Sequence, residues 1–173
     1  MNMRKMPWTR IASLALLIAA VGCSPLAAGS TSAQGAASST QSAQAAVHPV
    51  SGLAVVPLTV TTASGVHTFK AEVAASFAEQ ERGLMFREAM GADEAMIFPM
   101  DPPRRTAFWM KNTVIPLDII FIGPDRKVLN IAANAVPYDL SPLPSDGDAA
   151  GVLELIGGRA AQIGLKRGDR IDW

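Results

Sequence analysis

The sequence predicts a mostly β domain, a compact sandwich or barrel-like fold with one or two short helices. Short apolar runs alternate with Gly, Pro and Asp turn clusters along residues 53–173. One run, Leu117 to Ile122, is apolar on both faces apart from Asp118, the pattern of a strand buried on both sides. Only two helical segments are read along residues 53–173, and both are short.

In chain order, Arg4, Lys5 and Arg10 precede an apolar run of 11 residues, Ile11 to Val21. A bilayer crossing takes about 20 residues, so this is the plan of a secretory signal, assigned to residues 1–22. The run ends in Ala20-Val21-Gly22-Cys23, which resembles a bacterial lipobox, although Ala20 stands where leucine is preferred. Cys23, the sole cysteine, is the candidate lipidation site. Cleavage after a later small residue, as an ordinary signal peptide, is the alternative. Several acyl chains, at about 0.8 kcal/mol per buried CH₂, would hold the protein on a membrane. The expected location is the periplasmic or extracellular side, anchored through lipid. From Ser24 to Ala46, 21 of 23 residues are Ala, Ser, Thr, Gly or Gln, with no apolar face to bury. Residues 23–52 therefore form a low-complexity flexible tether, and residues 53–173 a single domain large enough for a real core.

Within the domain, Leu53 to Val60 reads as an edge strand because Pro57 interrupts it. After the Ala63-Ser64-Gly65 turn, Val66 to Val73 is a second strand, with His67, Phe69 and Ala71 on one face. Ser76-Phe77-Ala78-Glu79 has capping-box spacing, which predicts a helix from Phe77 that ends near Gly83. Arg82 falls in its last turn, where a cation complements the helix dipole. Ala95 to Phe98 is a short strand, and residues 101–105 an exposed loop with a solvated Arg104–Arg105 pair. Strands follow over Thr106 to Lys111 and Leu117 to Ile122, separated by Pro116, which forces extended backbone before it. Lys127 to Ala135 is a strand, residues 136–148 a long loop and Gly151 to Ile156 a strand. Arg159 to Ile163 is a short helix, and Arg170 to Trp173 closes the domain.

Composition excludes several functions. The net charge of zero hides three basic residues and no acids in residues 1–52, leaving twelve basic and fifteen acidic residues beyond, a net −3. Such a domain has no footprint for nucleic acid. One cysteine and two histidines, His48 and His67, rule out a zinc site of the usual ligands and disfavour a Ser-His-Asp arrangement. Met85, Met90, Met96, Met100 and Met110 crowd together, but without a repeated spacing or a supporting His they read as core filler, not a Cu(I) site. No metal, cofactor or catalytic residue is expected.

Three segments carry a resemblance: Arg82-Gly83-Leu84-Met85-Phe86-Arg87, Phe108-Trp109-Met110-Lys111-Asn112-Thr113, and Ile115-Pro116-Leu117-Asp118-Ile119-Ile120-Phe121-Ile122. With Val152-Leu153-Glu154-Leu155 and Ile163-Gly164-Leu165-Lys166-Arg167-Gly168-Asp169-Arg170, they are similar to the family catalogued as domain of unknown function 192. The resemblance runs from about Val66 to Ile171. It implies a compact, mainly β fold, often exported in bacteria, and no established activity. Gly151 departs from the pattern, where an aromatic usually precedes the Val-Leu-Glu run, and Pro99 interrupts the apolar strand before it.

The leader, the tether and the lack of a nucleophile–base pair point to a non-catalytic binding or accessory module of the envelope. Its candidate ligand-binding residues are Arg82, Lys111, Asn112 and Asp118, with the two cations suited to a small anionic ligand. An envelope protein is the other expected partner. The alternative is an enzyme using Asp118 as acid or base, with Arg82 or Lys111 stabilising negative charge. Thr113 could act as nucleophile, but nothing marks a base beside it. A third reading pairs Arg82 or Lys111 with Asp118 as a buried structural bridge.

Overall fold

The structure, a computed structural model, describes residues 46–173. The assigned signal, Cys23 and most of the assigned tether lie outside the described residues. The elements are β1 (Ala46–Val47), β2 (Ala54–Thr62), β3 (Gly65–Val73), α1 (Phe77–Arg82), β4 (Glu94–Arg104) and β5 (Ala107–Phe108). They continue as β6 (Leu117–Ile122), β7 (Val128–Ala135), β8 (Leu143–Pro144), β9 (Ala149–Ile156), α2 (Arg159–Gln162) and β10 (Arg170–Asp172).

The main sheet has the order β1-β2-β3-β4-β9-β6-β7, and β10 also pairs with β2. All neighbours are antiparallel except β3 and β4, whose crossover carries α1. Lys127, at the threshold of β7, bridges to Arg170 of β10. Beside this bridge the Val128 N–H donates to the Asp169 carbonyl and the Ile171 N–H to the Arg126 carbonyl, both at 2.9 Å. Pairing therefore runs full circle, and the mostly β fold is barrel-like, with its strand edges covered.

Strand alternation divides the apolar residues into two clusters. Leu58, Phe69, Ile97, Ile120, Leu153 and Ile171 belong to the one that fills the barrel, where Ala160 and Ile163 from the α2 region join it. Met96, Phe98, Leu117, Ile119, Phe121 and Val152 point the other way, into a second cluster completed by Leu84, Met110 and Ile115. All six residues of β6 are buried, as a strand with a core on each side requires. Each fully buried side chain of this size contributes about 1.5–3 kcal/mol. Met96, Met100 and Met110 are buried in the second cluster and Met90 packs against it, so these methionines are core filler.

Several elements depart from the sequence reading. β2 is not an edge strand: it pairs with β3 on one side, and with β1 and β10 on the other. Pro57 is tolerated because β1 pairs at Ala54 and Val55 and β10 at Thr59 to Thr61, so Pro57, which has no N–H, falls in the gap between them. Residues 46–52, assigned to the tether, form β1 and a turn that folds back onto β2. β4 continues through Pro99 to Arg104 with an irregularity after Pro99, where the sequence predicts a short strand and a loop. The strand expected over Thr106 to Lys111 shrinks to β5, which pairs with β8 inside the supposed 136–148 loop. At Gly151 an added Cβ would lie 2.9 Å from Cζ2 of Trp173. The aromatic ring over this part of β9 is thus supplied by Trp173, which Arg126 stacks on at 3.7 Å from the ring centroid.

Candidate functional site

The second cluster opens into a cleft of about 320 Å³ between α1 and the segment from Arg104 to Thr113. The capping box holds α1 in place: the Glu79 N–H donates to the Ser76 hydroxyl, and the Glu79 carboxylate accepts from the Ser76 N–H at 2.7 Å. That last bond is the main reason the Glu79 carboxyl sits below its ordinary value. Gln80 ties the helix to the barrel by donating to the carbonyls of Ala74 and Pro99. Gly83, at φ +46°, ends the helix, and its N–H donates to the Glu79 carbonyl. Arg82 is thereby placed, exposed, at the cleft mouth.

The opposite wall is the turn after β5. Asn112 adopts a left-handed backbone, φ +54°, which suits Asn better than most residues. Its carbonyl accepts from the Phe86 N–H at 2.8 Å and its side-chain amide approaches Met85 Sδ at 3.8 Å, joining this turn to the loop after α1. Lys111 projects at the mouth, 5.3 Å from the centroid of the Trp109 ring. Phe108 reaches inward, edge-on to Phe98 at 5.0 Å and to Phe121 at 6.1 Å. The lining is apolar within, through Leu84, Phe98, Met100 and Phe108, and cationic at the rim, through Arg82, Arg104 and Lys111.

One lining residue inverts that pattern. Glu154 on β9 is 5 % exposed and its Oε2 meets no hydrogen-bond partner. Its cross-strand neighbours are Met96 and Ile119, both in the apolar cluster. Burial without compensation pushes its carboxyl up to about 8, so it is largely protonated at neutral pH.

Asp118 lies on the other side of the sheet. It is 0 % exposed, and its Oδ1 accepts from the backbone N–H of Asn134 at 2.8 Å and of Gly158 at 3.0 Å. Its Oδ2 accepts from the Ala160 N–H at 2.7 Å. Gly158, the α2 N-cap, has no side chain to cap the helix, so Asp118 does so from β6. Its partners are backbone amides and not Arg82 or Lys111. The four residues singled out in the sequence thus separate: Arg82 and Lys111 meet at the cleft, Asn112 positions its wall, and Asp118 lies behind the sheet. Thr113 lines the cleft, and its hydroxyl donates to the Lys111 carbonyl. Glu154 is the cleft residue that sequence reasoning passes over, although an acid between Leu153 and Leu155 in an apolar strand is the signal that marks Asp118.

A second cleft, of about 370 Å³, lies across the loop after α1 and shares Arg82 with the first. Two of its charged groups are engaged: Glu79 in the capping box, and Arg87, which donates twice to the Glu72 carboxylate, at 2.9 and 3.0 Å, where the Ser51 hydroxyl donates as well.

The family model for domain of unknown function 192, described as an uncharacterized ACR, matches residues 58–173. A protein of unknown function from Novosphingobium aromaticivorans DSM 12444 is 59% identical, with 76% of this chain and 94% of that chain covered and a TM-score of 0.74. A protein from Sinorhizobium meliloti 1021, named provisionally as a transcription regulator, is 37% identical, with 69% and 94% covered and a TM-score of 0.67. No curated protein matches. The sequence segments, the barrel-like fold and these matches agree: the chain belongs to the domain of unknown function 192 family.

Proposed function

We propose that the domain is a non-catalytic binding module whose cleft takes a small amphiphile with an anionic group, held near a membrane by the leader and tether. The observation that carries this reading is the cleft itself, apolar inside and ringed by Arg82, Arg104 and Lys111, in a domain whose net charge is −3. An apolar body would displace water from Phe98, Met100 and Phe108, and the rim cations would hold the charged end. Titration with medium-chain carboxylates tests it. Arg82→Ala and Lys111→Ala should each weaken binding by about tenfold, the loss of roughly one charge-assisted hydrogen bond. No saturable binding, or unchanged affinity in both variants, would sink the reading. The tether is tested separately: Cys23→Ser should release the protein from membranes.

A second reading, acid–base catalysis, is favoured by Glu154, whose raised carboxyl suits a proton-transfer role better than the sealed Asp118 does. It predicts a turnover that Glu154→Gln abolishes while binding survives. The regulator name of the S. meliloti relative is not carried over, since cations gathered round one cleft of an acidic domain do not form the basic stripe that nucleic acid needs.

A further inference from the structure

The rim of the cleft and its floor ask for different things. Arg82, Arg104 and Lys111 at the mouth favour an anion, although Glu81 lines the same cleft. Glu154 at the floor offers a carboxyl whose buried Oε2 has no hydrogen-bond partner, among apolar cross-strand neighbours, an atom that costs stability unless something meets it. An anion cannot sit beside that oxygen if it is ionised, and a cation would have to pass the positive rim. A neutral acceptor meets both conditions, because a protonated carboxyl donates through its O–H.

We infer that Glu154 is a specificity-determining residue that donates a hydrogen bond to a neutral acceptor, such as a carbonyl, on the buried end of an amphiphile whose anionic head lies at the Arg82–Lys111 rim. The inference rests on the binding reading above and sharpens its ligand class to acyl-type anions carrying an oxo or amide group in the apolar chain. The raised carboxyl, near 8, supports it by keeping the proton in place under neutral conditions.

The test is calorimetric titration of the full chain with three probes: decanoate, the same chain with a ketone next to its terminal methyl, and the same chain ending in an amine. On the acid side of neutrality the keto probe should bind about tenfold more tightly than decanoate, the worth of one recovered hydrogen bond. That preference should fade well above pH 8 as Glu154 loses its proton. Glu154→Gln, which keeps a donor, should retain it at both pH values, and Glu154→Leu should abolish it while decanoate still binds. Equal affinities for decanoate and its keto form in the wild type, a preference that survives Glu154→Leu, or tightest binding of the amine would each overturn the inference and leave the binding reading standing. No binding of any probe overturns both.

Discussion

Asp118 and Glu154 are two buried carboxyl groups on paired strands, one register step apart, with opposite fates. Asp118 stands opposite Leu155 and Glu154 opposite Ile119, so the two side chains leave the β6–β9 ladder on opposite faces. Asp118 collects three backbone donors. Those donors are free because the β6–β7 register shifts after Leu117, with Asn134 at φ +50°, and because α2 begins where its first N–H groups have no partner within the helix. Glu154 sits mid-strand, between two neighbours whose amides belong to the ladder. Burial alone therefore does not decide a carboxylate's role; the supply of unengaged backbone donors does.

That contrast can be broken most forcefully at Asp118. Asp118→Ala should strip three backbone amides of their acceptor, that of Ala160 buried and those of Asn134 and Gly158 partly so, and cost on the order of 3 kcal/mol in urea denaturation. Asp118→Asn, which can keep two of the three bonds, should cost less. If Asp118→Ala were neutral, the anchoring role would be wrong. The reciprocal effect at Glu154 appears in the pH dependence of stability. Its folded value lies above its ordinary one, so its own contribution to stability is greatest below about pH 4.5, falls as pH rises towards about 8, and is then flat. The total loss is on the order of a few kcal/mol, and Glu154→Gln should flatten the slope. A smaller effect probes the barrel side of β9. Gly151→Ala would press a methyl group against Trp173 and should destabilise by about 1–3 kcal/mol without changing the pH slope. The smallest lies at the cleft wall: Ser76→Ala removes one half of the capping box and should lower stability by about 1 kcal/mol, leaving Glu154 untouched.

Features written in local sequence were legible. The helix at Phe77 follows from Ser76 and Glu79, three residues apart, and the double-sided burial of Leu117 to Ile122 follows from its unbroken apolar character. Features set by distant partners were not. Pro57 signals an edge strand locally, yet it is accommodated because two separate strands leave a gap beside it. Pro99 interrupts an apolar run in the sequence, yet β4 runs on, with the Pro99 carbonyl accepting from Gln80. At the site, Arg82 and Lys111 were identified from their segments, but Asp118 and Glu154 look alike in sequence. What separates them is contributed by residues 134, 158 and 160, far along the chain.

Two of the three tryptophans, Trp109 and Trp173, give the described domain independent optical reporters. Among the described residues, Trp109 is 51 % exposed at the cleft mouth beside Lys111, while Trp173 is wedged between Gly151 and Arg126 where the barrel closes. An occupant in the cleft would blue-shift and brighten emission from Trp109 alone, whereas opening of the barrel would release Trp173 from its stacked cation. With Trp109→Phe and Trp173→Phe, occupancy and unfolding become separable signals in the same cuvette.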